Sequence, residues 1–181
     1  MLERKEIKSK AKEQIKGNIG AFFLCYLVFA LICGTAIGGL FAPAMTIGFC
    51  LMYLALPGGT KPTLGAMFKK ADLFLRALWL MIITSFFITL WSMLLIVPGV
   101  IKALSYSMAP YILAEHPDFT ASKALNESKR IMNGHKKELF FLALSFIPWF
   151  LLCSITFGIA FIYVLPYYNA AVTNFYIAIK E

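Results

Sequence analysis

A single lysine interrupts one of the longest apolar stretches of this sequence, and it is the residue there that is best suited to chemistry. Lys102 lies in LIVPGVIKALSYSMAPYILAEHPD (95–118), and Ala77–Ile101 before it contains no charge. An ammonium in such surroundings either binds an anion or carboxylate, or extends along lipid to reach the headgroups. The apolar runs contain no acidic residue to pair with it. We therefore predict that Lys102 extends to the headgroups, with ligand binding as the alternative.

The loop that follows holds most of the other side chains that could take part in catalysis. They are Glu115, His116, Asp118, Glu127, His135 and Glu138. No HExxH, GxSxG or GxxxxGK motif accompanies them, so a solvated loop explains them better than a hydrolytic site. The four cysteines lie in apolar runs without a CxxC pair, which is typical of small buried hydrophobes. We predict no catalytic residue, no cofactor and no metal site, and we expect that the protein is not an enzyme.

The elements that would position these residues are apolar runs of about membrane length. The 181 residues are 60% hydrophobic and 14% charged, whereas soluble domains are about 45–50% apolar and about 25% charged. A bilayer core of roughly 30 Å needs a helix of about 20 residues. Six runs approach that length: Ile19–Ile37, Phe41–Leu56, Ala77–Val97, Val100–Leu113, Leu139–Phe157 and Ile159–Ile179. None alternates with period two, so we predict an all-α protein with six transmembrane helices.

The basic residues predict how these spans are oriented. Lys102 apart, every lysine and arginine lies in a segment that six spans would place on one side of the membrane. The positive-inside rule makes that side cytoplasmic, with both termini inside. Pro98-Gly99 would then form an outer turn and put Lys102 in the first turn of the fourth span. The chain divides into an N-terminal helix (1–18), three hairpins (19–56, 77–113 and 139–179), a basic loop or short helix (57–76) and a cytoplasmic loop (114–138).

Each hairpin follows a basic amphipathic segment, a layout that fits either an internal repeat or ordinary positive-inside hairpins. In the third segment, Thr120 is expected to cap a helix that ends at Asn133-Gly134. Its apolar face is Ala121, Ala124, Leu125, Ser128, Ile131 and Met132. In the first segment, Ile7, Ala11 and Ile15 form an apolar stripe. We expect both helices to lie along the membrane surface or to pack under the spans.

The basic side chains of the third segment form a candidate binding surface, which we call the basic face. It consists of Lys123, Lys129, Arg130, His135 and Lys136. Such a surface binds anionic lipid, at about 1 kcal/mol per well-placed lysine or arginine, or an acidic protein partner. An equally good explanation is a solvated surface whose charges only set the orientation of the chain in the membrane.

Polar side chains within the spans are few, and they are neutral apart from Lys102. Tyr106 follows Lys102 by one helical turn, and YVLPYYNAAVTNFY (163–176) concentrates tyrosines and asparagines in the last run. These residues form either an aromatic belt with hydrogen bonds between helices or the lining of a ligand path. The candidate ligand or lipid contacts are Lys102, Tyr106, Tyr167, Tyr168, Asn169 and Asn174.

Four strings of the sequence resemble one protein family. They are LIVPGVIKALSYSMAPYILAEHPD (95–118), ASKALNESKRIMNGHKKELFFLALSFIPW (121–149), PYYNAAVTNFY (166–176) and IKSKAKEQIKGNIGAFF (7–23). The family is one of small bacterial integral membrane proteins, catalogued as domain of unknown function nine-seven-five. The layout also resembles the membrane part of some bacterial glycerophosphodiesterases, without their catalytic domain. Pro148 stands where the resemblance implies glycine, and a proline there should kink the fifth span.

Two functions of different classes fit this protein of the bacterial cytoplasmic membrane. The first is a non-enzymatic membrane adaptor or assembly factor that binds a protein partner or anionic lipid at its cytoplasmic face. The second is a small oligomeric transporter or lipid-handling protein, with a path near the fourth and sixth spans. The net charge of +8 comes without a nucleic-acid recognition fold, and membrane orientation explains it, so we expect no nucleic-acid partner.

Overall fold

The described part of the chain consists of helices joined by turns and short irregular segments. The computed structural model describes residues 4–35, 38–68, 71–94, 96–156 and 158–180, which form helices and turns without a strand. The helices are α1 (Arg4–Ile15), α2 (Ile19–Cys33), α3 (Gly38–Leu54), α4 (Leu64–Phe68), α5 (Phe74–Leu94), α6 (Ile96–Tyr106), α7 (Ala109–Glu115), α8 (Ala121–Ile131), α9 (Lys136–Leu144), α10 (Ile147–Ile155) and α11 (Phe161–Lys180). The predicted all-helical fold class is confirmed.

Three helical segments of the described chain are long and apolar enough to cross a membrane. They are Phe41–Gly58, Phe74–Met93 and Lys136–Ile155. A fourth qualifies if α1 and α2, which are bent by 85°, form one broken span. Six spans are therefore not confirmed. The shortfall has a physical reason, because α6 and α7 have only 11 and 7 residues and α11 carries two asparagines that lower its mean hydropathy.

The second of these segments has the surface expected of a helix in lipid. Only 11% of Phe74–Met93 is buried inside the protein. Trp79, Phe86 and Met93 are among its large exposed apolar side chains. So much outward apolar surface on one helix is unfavourable in water and favourable against hydrocarbon.

The turn between α5 and α6 lies earlier than the sequence predicts. Pro98 and Gly99 belong to the first turn of α6, which starts at Ile96, so the predicted outer turn at Pro98-Gly99 is wrong. A proline is tolerated in the first turn of a helix because its missing N–H has no acceptor there. Gly99 serves close packing instead, since a Cβ built on it would lie 2.9 Å from Ser92 Cα in α5.

The predicted fourth span is also divided. α6 ends at Tyr106 and α7 begins at Ala109, with Pro110 in its first turn. A proline inside a continuous helix would remove one backbone hydrogen bond and clash with the preceding turn. The break avoids both costs, and the run Val100–Leu113 therefore forms parts of two helices.

The amphipathic helix α8 confirms its predicted start, end and apolar face. The Thr120 hydroxyl accepts a hydrogen bond from the Lys123 backbone N–H at 3.3 Å, and Gly134 follows the helix in the left-handed region, at φ 91°. Five of the six predicted apolar-face residues are buried, and the sixth, Ile131, is half-buried. Ser128 on this face donates to the Ser105 carbonyl oxygen at 2.7 Å. This bond attaches α8 to the last turn of α6.

The first amphipathic helix packs against other helices, which was one of the two predicted arrangements. Ile7, Ala11 and Ile15 are all buried, and α1 lies against α11. Exposed lysines remain on the other side of α1, among them Lys10 and Lys12. The apolar stripe is therefore used inside the protein.

The predicted fifth span is interrupted near Pro148. α9 ends at Leu144 and α10 begins at Ile147, with Pro148 in the first turn of α10. Helical hydrogen bonding is interrupted at Ser145 and Phe146, but Lys136–Ile155 still counts as one candidate span, so the expected kink stays a prediction. Lys8 of α1 donates to the Ser145 carbonyl oxygen at 3.3 Å, within this break. The interruption thus becomes a point of contact for the N-terminal helix.

Candidate functional sites

The basic face divides into side chains with local partners and side chains that project into solvent. Lys123 and Lys129 are exposed. The Lys123 ammonium lies 3.8 Å from the centre of the Phe119 ring, and that of Lys129 donates to Asn126 Oδ1 at 3.3 Å. These contacts orient the two lysines without neutralising them, because neither partner is a carboxylate.

Arg130 is the member of the basic face that is neutralised. Its Nε donates to both carboxylate oxygens of Glu127, at 3.1 and 3.0 Å. This hydrogen bond lowers the pKa of Glu127 from its ordinary value. The carboxylate consequently stays charged at neutral pH, and the pair adds little net charge to the surface.

The other two members continue the surface into α9. The His135 Nδ1 lies 3.0 Å from a carboxylate oxygen of Glu138. Lys136 begins α9 and is half-buried. The five residues of the basic face therefore occupy one continuous part of the chain, and its exposed charge without a carboxylate partner lies on Lys123 and Lys129.

A charged cavity that the sequence did not predict lies beside this face. It has a volume of about 470 Å³ and includes Glu115, Glu127, Arg130, Tyr176 and Lys180 in its lining. The Tyr176 hydroxyl donates to Glu115 at 2.7 Å, and the Lys180 ammonium pairs with the same carboxylate. Each carboxylate of this cavity thus already has a cation beside it. The charged residues therefore form ion pairs that stabilise the structure.

Lys102 lies against an aromatic ring. Its ammonium is 5.0 Å from the centre of the Trp91 ring, across the α5–α6 hairpin. A cation over an aromatic face gains about 0.5–1 kcal/mol at exposed sites. The side chain is half-buried, so the ring covers part of its stem. This environment agrees with a structural role for Lys102, whereas ligand binding stays untested.

The other predicted ligand contacts lie in several different places. Tyr106 is buried below Lys129. Tyr167 and Tyr168 pack edge-to-face on Phe146, with ring centres 5.0 and 5.3 Å away. These rings fill the core around the break between α9 and α10.

The two asparagines of α11 bond to different helices. Asn174 donates to the side chain of Gln14 at 2.9 Å and so joins α11 to α1. Asn169 donates to the hydroxyl of Tyr26 in α2 at 2.8 Å. The predicted bond between helices is confirmed for Asn169. Asn174, which was expected only as a ligand or lipid contact, also joins two helices.

Asn169 also lines a second cavity, which we call the tyrosine cavity. Its volume is about 300 Å³, and it lies between α2, α3, α7 and α11. Tyr26, Tyr53, Tyr111, Phe29 and Phe49 supply its aromatic walls. The sequence did not single out Tyr26 or Tyr53. A signal was present, since each is the one tyrosine of its apolar run.

Metal-binding side chains are not grouped in the part of the chain that the structure describes. No cluster of three or more His, Cys, Asp or Glu residues occurs there that could hold a metal ion. Cys25, Cys33, Cys50 and Cys153 are free thiols.

The fold and the distribution of charge define a helical protein with helices suited to a membrane and a basic surface that extends along α8 to the start of α9. Residues 94–181 match the model of the family described as Protein of unknown function (DUF975), in agreement with the resemblance carried by the sequence. The matched part includes the basic face, the charged cavity and Asn169. No curated protein and no solved structure matched the chain. The likeness to glycerophosphodiesterases therefore stays a prediction.

Proposed function

We propose that this chain is a non-enzymatic adaptor of the bacterial cytoplasmic membrane that holds an acidic protein partner against its basic face. On this proposal α2 and α3, α5 and α6–α7, and α9–α10 and α11 form three hairpins, with both termini in the cytoplasm. The 85° bend between α1 and α2 supports this arrangement, because it lets α1 leave the direction of the spans. α8 then lies on the cytoplasmic side.

The observation that carries the proposal is the way the two amphipathic helices use their apolar sides. A helix that binds a lipid surface inserts its apolar side between headgroups. In α1 that side is buried against α11, and in α8 it is buried in the core. The lysines on the outer sides are therefore left for a partner in solution, and this favours an acidic protein over anionic lipid.

Lys123 and Lys129 are the residues expected to contribute most to such binding. Both are exposed and neither is paired with a carboxylate, whereas Arg130 is occupied by Glu127. Exposed charges at an interface raise the association rate and are screened by salt. We expect the complex to weaken as the ionic strength rises.

The test is purification of the full chain in mild detergent, followed by mass spectrometry of bound proteins and lipids. The variant Lys123→Glu/Lys129→Glu reverses the uncompensated charges and leaves the Arg130–Glu127 pair intact. The control Lys16→Glu/Lys61→Glu reverses two exposed lysines of other segments. We expect a near-stoichiometric protein that is lost from the first variant and retained by the control.

Two results would contradict the adaptor proposal. One is a protein partner that remains bound to Lys123→Glu/Lys129→Glu, since the basic face would then have no part in binding. The other is an anionic lipid that co-purifies and is lost in this variant while no protein does, since the face would then bind the membrane surface.

The second candidate function is transport or lipid handling by an oligomer of this chain. The tyrosine cavity favours it, because four helices surround that space in the region proposed to lie in the membrane. A homo-oligomer that carries one enriched small molecule and no protein partner is the result expected for this alternative.

A further inference from the structure

The walls of the tyrosine cavity define what could enter it. Tyrosine, phenylalanine and asparagine side chains form much of the lining, and none of its residues is charged. An anion would lose its hydration there without gaining a cation as partner, which costs several kcal/mol. The cavity of about 300 Å³ lies at the lower end of the range of ligand sites, roughly 300–1,000 Å³. A small uncharged molecule fits these conditions.

The hydrogen bonds at the cavity leave one hydroxyl donor without an acceptor. Asn169 Nδ2 donates to the Tyr26 hydroxyl at 2.8 Å and to the Leu165 carbonyl oxygen at 3.0 Å. The hydroxyls of Tyr26 and Tyr53 share one hydrogen bond of 2.9 Å, in which either is the donor. Two hydroxyl protons are present and this bond uses one. Within the described residues, the other proton has no acceptor, whichever hydroxyl carries it.

The third tyrosine of the cavity is not part of this pair. The Tyr111 hydroxyl lies beside that of Thr173, which in turn donates to the Asn169 carbonyl oxygen at 2.8 Å. Its ring packs on Tyr176, with the centres 5.4 Å apart. Tyr111 therefore supplies a wall, whereas Tyr26 and Tyr53 supply the unused donor.

We propose that the tyrosine cavity binds a small neutral molecule that has a flat apolar body and a carbonyl oxygen as acceptor, as in an aromatic ketone, an ester or a quinone. The aromatic walls contact the body, and the surplus hydroxyl proton of the Tyr26–Tyr53 pair donates to the oxygen. The inference does not rest on the adaptor proposal, because no residue of the basic face lines this cavity.

The test compares two probes of nearly the same shape, acetophenone, which has an acceptor oxygen, and α-methylstyrene, which has a methylene group in its place. Their dissociation constants are measured on the full chain by ligand-observed NMR in one detergent. We expect the preference for acetophenone to be about 2- to 10-fold larger for the wild type than for the triple variant Tyr26→Phe/Tyr53→Phe/Asn169→Leu, the effect of one neutral hydrogen bond. Asn169 is replaced as well because its Nδ2 would otherwise lose the Tyr26 hydroxyl as acceptor and become a surplus donor itself. Partitioning into micelles is common to both proteins and cancels in this ratio.

The single variants give the sharper part of the test. Tyr26→Phe and Tyr53→Phe each leave one hydroxyl whose proton has no acceptor, so each should keep the preference that the triple variant loses. Tyr111→Phe removes a hydroxyl from the same cavity but not from the pair, and it should also keep the preference. An equal preference in the wild type and the triple variant would overturn the proposal.

A measurement that does not depend on the triple variant uses the cavity wall. Phe29 is half-exposed, and Phe29→Trp would extend its ring into the space. We expect this variant to weaken both probes by at least about tenfold, since overpacking a site excludes its ligand. Unchanged binding of both probes, or no saturable binding by the wild type, would show that this cavity is not the site. Neither result bears on Lys123 and Lys129.

Discussion

Single polar side chains hold the helices of this protein together where they are buried. Ser128 bonds α8 to α6, Asn169 bonds α11 to α2, and Asn174 bonds α11 to α1. The bonds of Asn169 and Asn174 join residues 143 and 160 positions apart in the sequence. A buried group that loses its partner costs more than the bond itself is worth, so these positions should be sensitive to substitution.

Ser128→Ala is expected to destabilise the protein by about 1–3 kcal/mol, because the buried carbonyl oxygen of Ser105 loses its donor. The measurement is unfolding in mixed micelles with an increasing fraction of sodium dodecyl sulfate. Ser122→Ala, at an exposed position of the same helix, should stay within about 0.5 kcal/mol of the wild type. Equal stability of the two variants would show that the bond to Ser105 contributes nothing.

Lys102 and Trp91 should be coupled in a double-mutant cycle. We expect Lys102→Gln and Trp91→Leu to be less than additive by about 0.5–1 kcal/mol in unfolding experiments, the value of an exposed cation–π contact. Insertion and expression of Lys102→Gln should be normal. Loss of a later-established activity in a normally folded Lys102→Gln would instead assign the ammonium to a ligand.

Some of these residues could be predicted from the sequence and others could not. The cap at Thr120 and the place of Ser128 on the apolar face follow from local spacing, which helical periodicity reports. Tyr26 and Tyr53 meet because α2 packs on α3, and the paired carboxylate of Glu115 depends on the end of α11. Such contacts between distant side chains depend on tertiary packing, which no local sequence pattern encodes.

At the scale of the elements, the hairpin of α5 and α6 depends on close contact. Hydrophobicity located both helices but misplaced their turn, because Pro98-Gly99 reads as a turn signal and also suits the first turn of a helix. Gly99 is buried, and it faces Ser92 of α5. The small residue allows the two backbones to approach, as is common between membrane helices.

Gly99→Ala should destabilise this hairpin by about 1–3 kcal/mol, because the added Cβ would meet the backbone of Ser92 and the helices must separate. Ser92→Gly in the same chain should restore part of the loss. Gly65→Ala is the control, since a Cβ there meets nothing within 4 Å. The comparison is made by unfolding in mixed micelles, and an unaffected Gly99→Ala would mean that α5 and α6 are not held this closely.

At the scale of the whole molecule, charge and hydropathy predicted the helical class, but the six predicted spans are not confirmed, since three segments of the described chain qualify by length and composition. α11 fails by composition, since its polar residues serve contacts with α1 and α2 instead of facing lipid. Hydropathy measures preference for lipid, whereas a helix surrounded by other helices can carry asparagine at little cost. The proposed orientation nevertheless makes a direct prediction.

Single cysteines can report this orientation in a chain whose four native cysteines are replaced by alanine. Lys61→Cys should react with a membrane-impermeant maleimide only after cells are permeabilised, because the positive-inside rule places it in the cytoplasm. Ile159→Cys, between α10 and α11 and exposed, should react in intact cells. The reverse pattern would place both termini outside and the basic face with them.

The contacts of α1 set an order on the biogenesis of this chain. Lys8 bonds to a residue 137 positions later, and Gln14 bonds to one 160 positions later. The first helix leaves the ribosome before either partner has been synthesised, so its apolar stripe stays unpacked until α11 follows. Assembly therefore ends with the contact between the first and the last helix, and a ribosome that stalls before α11 leaves a nascent chain in which Ile7, Ala11 and Ile15 lack the helix they pack on.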